Sequence, residues 1–122
     1  MRDIILFTER QIVKDECFDV MKREIKNIKE NGDGLMIDGK NRLYLNFSSE
    51  RINDPKDDAS EDFQKHVPID NAHLTFMETY RSIDAKRVIT VIAGIYGNVF
   101  VYIDDTDWYG SAKNFTETKF DF

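Results

Sequence analysis

The pattern of apolar and polar positions predicts strands and helices that alternate along the chain. Short runs of β-branched and aromatic residues at 3–8 and 99–103 predict strands, and the second run is apolar on both faces, as in a buried strand. Apolar side chains at helical spacing predict a first helix over residues 12–30: Val13, Cys17, Val20, Met21, Ile25 and Ile28. The Asn-Gly-Asp-Gly sequence at 31–34 predicts the end of that helix.

The middle of the chain predicts a hairpin followed by a long polar segment. Residues 35–37 and 43–47 have the composition of strands, and residues 38–41 between them have the residue types of a hairpin turn. Residues 48–72 are polar, contain both prolines of the chain, and have too few apolar residues for a core element. We therefore expect a polar loop at 48–72.

A second helix is predicted in the second half of the chain. Residues 73–80 favour a strand before it, although a helix remains an alternative there. Ser82 is suited to cap the helix, which ends at Gly94 or Gly97 and has an apolar face of Ala85, Val88, Ile89, Ile92 and Ile95. The tail is amphipathic, and one helical turn is expected around residues 108–115.

The predicted order of elements is β-α-β-β-β-α-β within a single domain spanning residues 1–122. A β-α-β crossover is normally right-handed, so both helices are expected on one face of the sheet. The sequence therefore predicts an α+β, two-layer sandwich with a mixed sheet of about five strands.

Composition narrows the class of protein. Of the residues, 41% are apolar and 33% are charged, and no run approaches the eighteen apolar residues of a membrane span. The first apolar run is short and flanked by acids, which is typical of a strand rather than an export signal. Cys17 is the one cysteine, which fits a reducing compartment. We expect a cytoplasmic protein that does not associate with membranes.

Charge indicates the kind of partner. The chain has 17 basic and 23 acidic residues, a net charge of −6, and the acidic excess lies in residues 53–62 and from Asp104 onward. Nucleic-acid binding requires a basic face, so that class is disfavoured. An acidic excess confined to two segments favours a basic protein partner.

The acidic and aromatic run that follows the last predicted strand is the main candidate site. It can be a solvated turn, a partner-binding surface, or a metal or catalytic site, and Trp108 can alternatively cover the end of the core. As a calcium loop it fails, because Tyr109 occupies a position that needs an oxygen-rich side chain and Thr116 occupies one that needs a bidentate glutamate. We interpret it as a partner-binding surface made of Asp104, Asp105, Asp107, Trp108 and Tyr109, extended by Asp57 and Asp58.

No cofactor or metal is predicted from the remaining cysteine, histidine and aromatic residues. Cys17 lies on the apolar stripe of the first helix and is expected to be an inert core thiol. An alternative function is a small enzyme that uses the Asp104–Asp107 cluster with Mg²⁺, or His73 as an acid or base. A homo-oligomer formed through an exposed aromatic tail is also compatible with Phe115, Phe120 and Phe122.

Two resemblances bear on function. Asp107-Trp108-Tyr109-Gly110, followed by Asn114, resembles the Tyr-Tyr-Gly…Asn segment of barstar-type ribonuclease inhibitors, although that segment lies early in those chains and near the end of this one. In size, charge and order of elements, the whole chain resembles the small acidic α+β immunity proteins of bacterial toxin systems. This resemblance implies a cytoplasmic, non-catalytic protein that blocks a cognate, often basic, toxin domain.

Overall fold

The computed structural model describes residues 1–40, 42–52 and 65–122. Within these ranges the strands are β1 (Arg2–Thr8), β2 (Ile28–Asn31), β3 (Gly34–Ile37), β4 (Leu43–Arg51), β5 (His73–Thr79), β6 (Val99–Ile103) and β7 (Trp108–Ser111). The α-helices are α1 (Lys14–Glu24), α2 (Ser82–Tyr96) and α3 (Ala112–Glu117), and a 3₁₀ turn at Asp104–Thr106 joins β6 to β7.

The described strands form one sheet in the order β2-β3-β4-β5-β1-β6-β7, and every neighbouring pair is antiparallel. The predicted α+β class is confirmed. The prediction of a mixed sheet of about five strands is wrong, because the described sheet has seven strands and is antiparallel throughout. It is not mixed because the strands joined by each long helix are not neighbours. β1 lies between β5 and β6, and three strands separate β1 from β2.

The first helix is shorter than predicted. It ends at Glu24 rather than continuing to residue 30. Asn27 then adopts a left-handed conformation with φ 64°, and Ile28–Asn31 pairs with β3 as strand β2. Gly32, with φ 60°, lies in the turn between β2 and β3 instead of capping the helix. Helical spacing therefore misassigned a short edge strand.

The other elements agree more closely with the pattern. Strands β1 and β6 and the second helix are confirmed, and residues 73–79 form a strand rather than a helix. Helix α2 continues through Gly94 and ends before Gly97. In the tail, Trp108–Ser111 is a strand, and the helical turn begins only at Ala112.

The helices cover one face of the sheet and form the main core with it. Leu6 of β1 and Val101 of β6 are fully buried on this helix-covered face. The helices contribute Cys17, Met21, Ala85, Val88, Ile89, Ile92 and Phe115. The predicted placement of the helices on one face is confirmed, because α1, α2 and α3 all belong to this core.

The aromatic tail also belongs to the helix-covered core. Phe115 is fully buried, and Phe120 and Phe122 are half-buried against the same core. The ring of Phe120 lies 5.0 Å from that of Phe115 and 5.6 Å from that of Phe122. The expectation that these rings form an exposed tail is therefore wrong.

The opposite face of the sheet is covered at one end only in the described residues. There, Phe7 of β1 and Leu74 of β5 pack against Ile52, Val67 and Ile69. The prediction that residues 48–72 contribute no core element is wrong, since β4 continues to Arg51 and Ile52, Val67, Ile69 and Ala72 are buried. Residues 53–64 lie outside the described residues, as do the predicted contacts of Asp57 and Asp58.

No helix in the described part of the chain is long and apolar enough to cross a membrane.

Candidate functional site

The acidic turn after β6 gathers two of its carboxylates around one buried tyrosine. The hydroxyl of Tyr102 lies 3.2 Å from Oδ1 of Asp104 and 3.0 Å from Oδ1 of Asp107. Asp107 reaches this position in a left-handed conformation with φ 50°. Burial and the two carboxylates raise the pKa of Tyr102, so its hydroxyl stays protonated and donates to them.

Asp105 lies apart from that pair. Its carboxylate forms an ion pair with the guanidinium of Arg2, which also lies over the ring of Phe122, 5.2 Å from the centroid. Both partners are partly exposed, so the pair contributes little to stability. Of the three predicted carboxylates, Asp105 already has a basic partner within the chain.

Trp108 and Tyr109 point to opposite faces of the sheet, as successive residues of a strand do. The indole of Trp108 packs edge-on against Phe115 and Phe120, at 5.9 and 5.4 Å between centroids. A Cβ at Gly110 would overlap this indole, so glycine is required beside it. Trp108 therefore covers the end of the helix-covered core, which is one of the alternatives that the sequence left open.

Tyr109 lies on the other face, with the Tyr102 side chain. Its ring stacks on Tyr102 at 4.5 Å and on His66 at 4.4 Å between centroids. This stack ties the acidic turn to the covered end of the opposite face. Tyr109, Asp104 and Asp107 are thus brought together around Tyr102, whereas Trp108 is not part of that group.

An acidic cavity of about 350 Å³ lies beside this group, over β1 and β5. Half-buried Ile5 and Phe76 contribute its apolar lining, and Asp3, Glu78 and Asp104 contribute carboxylates. No basic residue lines it within the described part of the chain. We use the name acidic cavity for this set of five residues.

Asp3 and Glu78 face each other directly across the β1–β5 pair. Like charges in this position destabilise an antiparallel sheet. Among the described residues, neither these two carboxylates nor that of Asp104 takes part in an ion pair. The acidic cavity therefore holds uncompensated negative charge within the described structure.

Sequence reasoning missed Asp3 and Glu78. Each lies in a stretch whose acids and bases nearly balance, so neither added to the local excess. Strand alternation does place Asp3 on the same face as Ile5, and Glu78 on the same face as Phe76. The pairing of β1 with β5 was the missing information, because register between distant strands is not written in either strand alone.

The enzyme alternative requires groups that the structure does not bring together. His73 is opposite Thr8 at one end of β1, while Asp104 follows the strand residue opposite Ile4 at the other end. Nε2 of His73 lies 2.9 Å from the Arg51 guanidinium, and burial and this charge lower the pKa of His73. No group of three or more His, Cys, Asp or Glu within the described ranges could hold a metal ion.

Cys17 is the remaining candidate nucleophile. It is fully buried, and its Sγ lies 3.8 Å from the hydroxyl of Tyr96. Burial raises the pKa of the Cys17 thiol to about 11. The burial of Cys17 confirms the predicted core position, and a thiol that stays protonated at neutral pH is a poor nucleophile.

Comparison of the chain with protein-family models, with curated proteins and with solved structures found no match. A functional assignment therefore depends on the geometry and charge of the chain itself.

Proposed function

We propose that the chain is a non-catalytic protein-binding module whose acidic cavity receives a basic side chain of a partner protein. The observation that carries this proposal is the direct opposition of Asp3 and Glu78 without a basic neighbour among the described residues. A lysine or arginine from a partner would convert this repulsion into attraction to both carboxylates.

The shape and lining of the acidic cavity favour such a side chain. Lysine and arginine have apolar stems that can cover Ile5 and Phe76, while their charged heads reach Asp3 or Glu78. A volume of about 350 Å³ has room for one long side chain and its neighbours. A bare metal ion would make no use of the apolar lining.

The surrounding charge favours a basic macromolecule. Asp104 and Asp107 extend the acidic surface along the turn, and the chain has a net charge of −6. A field of this sign speeds the approach of a basic protein and repels nucleic acids. An immunity or inhibitor protein that blocks a basic toxin domain would use such a surface, which agrees with the resemblance in size and charge.

A peptide of alternating lysine and valine residues tests the proposal, with a glutamate-valine peptide of equal length as the control. Addition of the lysine peptide to isotope-labelled protein should shift the backbone amide resonances of Ile5, Phe76 and Glu78. The shifts should saturate with the lysine peptide and be absent with the glutamate peptide. Added salt should lower the affinity for the lysine peptide, because it screens the charges.

Two matched double variants locate the binding surface. Asp3→Asn with Glu78→Gln removes the facing pair, and affinity should fall about tenfold if one charge-assisted hydrogen bond is lost. Asp121→Asn with Glu117→Gln removes the same charge from exposed positions in the tail and should change affinity little. Equal weakening by both variants would refute the acidic cavity as the site.

Affinity capture with the same variants tests whether a native partner binds at the acidic cavity. Extract from the source cells is passed over immobilised wild type, the two double variants, and a triple variant with Asp104, Asp105 and Asp107 changed to Asn. Partner recovery should fall for the Asp3/Glu78 variant and for the triple variant. A thermal shift with Mg²⁺ that disappears in the triple variant would instead support the metal-dependent enzyme.

A further inference from the structure

A second cavity, with the opposite charge, lies where the end of α1, the β3–β4 connection and the start of α2 meet. It has a volume of about 410 Å³, and its charged lining residues are Lys26, Lys40, Arg81, Arg87, Glu24, Asp38 and Asp84. We call it the basic groove. An adjoining cavity shares Asn27, Asp38 and Gly39 with it and adds Lys29 and Arg42. Together the two cavities have six basic and three acidic lining residues in a chain of net charge −6.

Two of those three acids already have partners. Oδ2 of Asp38 accepts a hydrogen bond from Nζ of Lys29 at 3.1 Å. The carboxylate of Asp84, only 8% exposed, accepts from Nε and Nη2 of Arg81 at 3.0 and 3.3 Å. These contacts neutralise the acids and fix the Arg81 guanidinium at the edge of the groove.

Three cations of the basic groove remain uncommitted. Lys26, Lys40 and Arg87 are exposed and make no ion pair within the described ranges. Glu24 is the one lining acid that likewise makes none. Like charges held around one cavity repel each other, and an anion bound between them would remove that repulsion.

We propose that the basic groove binds a small anion that carries phosphate groups. A phosphate group concentrates up to two negative charges in a small volume, and arginine and lysine are its usual ligands in proteins. The volume of about 410 Å³ lies in the range of small-molecule sites and fits a diphosphate or a phosphorylated metabolite. This site is separate from the acidic cavity and does not depend on the function proposed above.

Titration of isotope-labelled protein with inorganic pyrophosphate tests this site. The amide resonances of Asn27, Gly39 and Arg87 should shift and saturate, while those of Ile5 and Phe76 stay unchanged. Absence of saturable shifts at about 10 mM, above the range of weak specific binding, would overturn the proposal. Citrate carries carboxylates in place of phosphates, and tighter binding of citrate would overturn the choice of phosphate.

Matched variants assign the binding to these side chains. Lys40→Gln with Arg87→Gln should lower pyrophosphate affinity about tenfold or more, because two charge-assisted contacts are lost. Lys113→Gln with Lys119→Gln removes the same charge from exposed tail positions and should lower it less than about twofold through the general field alone. Equal losses would refute the groove. The single change Arg87→Lys keeps the charge and should retain most of the wild-type affinity for pyrophosphate.

Two further ligands define the source of the phosphate. Tighter binding of adenosine diphosphate than of pyrophosphate would support a nucleotide, and equal binding would support the phosphate chain alone. Tighter binding of a short single-stranded oligonucleotide than of either small ligand would overturn the assignment to a small molecule.

Discussion

The two faces of the sheet differ in how completely they are covered within the described residues. Leu6 and Ile5 are neighbours on β1, yet Leu6 is fully buried beneath the helices and Ile5 is half-buried in the acidic cavity. The helix-covered face has a continuous apolar core, whereas the opposite face changes from a packed end to an acidic one. Among the described residues, the larger apolar core therefore lies on the helix-covered face, and the proposed partner site lies on the opposite one.

The largest expected effect on stability comes from comparing Leu6→Ala with Ile5→Ala, one on each face of the sheet. We expect the free energy of unfolding to fall by about 3 kcal/mol for Leu6→Ala and by only about 1 kcal/mol for Ile5→Ala, because the half-buried side chain loses fewer contacts. Urea denaturation of both variants measures the difference. Equal losses would mean that the opposite face is as tightly packed as the helix-covered one.

A smaller effect is expected where Trp108 closes the helix-covered core. Gly110→Ala places a methyl group against the indole and should cost about 2 kcal/mol of unfolding free energy. In a Trp108→Leu background the same change should cost much less, since the ring is absent. A double-mutant cycle by thermal or urea denaturation measures this coupling, and strict additivity would contradict the proposed overlap.

The buried thiol of Cys17, on the helix-covered face, should make the free energy of unfolding fall at alkaline pH. The thiol of Cys17 has its pKa raised from the ordinary value near 9.0 to about 11, so it binds its proton more tightly in the folded state. Stability is therefore lost as the pH rises from about 9 to 11, by roughly 1 kcal/mol at pH 10. Denaturation at pH 8 and pH 10 should show a smaller drop for Cys17→Ala than for wild type. An identical drop would mean that the buried thiol contributes nothing.

The smallest effect is a gain in stability on the opposite face. Asp3→Asn removes the repulsion with Glu78 and should raise the free energy of unfolding by about 0.5 kcal/mol. Asp121→Asn, at an exposed tail position, should leave it nearly unchanged. The gain should shrink in high salt. A loss of stability would mean that Asp3 has a favourable role in the free protein.

Elements with a strong local pattern could be predicted from the sequence. Helix α2 and strands β1 and β6 contain enough apolar residues at one period to identify them, whereas the pattern of β5 favoured a strand but left a helix open. The end of α1 could not be located in this way, because Ile28 fits the helical spacing and also pairs opposite Ile37 in a hairpin. Val67 and Ile69 were missed because isolated apolar residues in a polar segment have no period.

The candidate sites were harder to predict, because the charge of a sequence segment does not show which surface each of its side chains joins. Residues 1–30 have equal numbers of acids and bases. In the fold, Asp3 lines the acidic cavity and Lys26 lines the basic groove. A segment with no net charge therefore contributes to two surfaces of opposite sign. Asp104 and Asp107 could be found because they lie only three positions apart in sequence, at the start and end of one turn.

The position of β1 within the sheet has a consequence for the order of folding. Its two partners begin at His73 and Val99, so β1 has no neighbour in the sheet until the chain has been made at least to His73. The β2–β3 and β3–β4 hairpins can form early from local contacts, but β1 must wait and then insert between β5 and β6. Pairing over such sequence separations is slow, so we expect folding in milliseconds to seconds, with the insertion of β1 among its last steps.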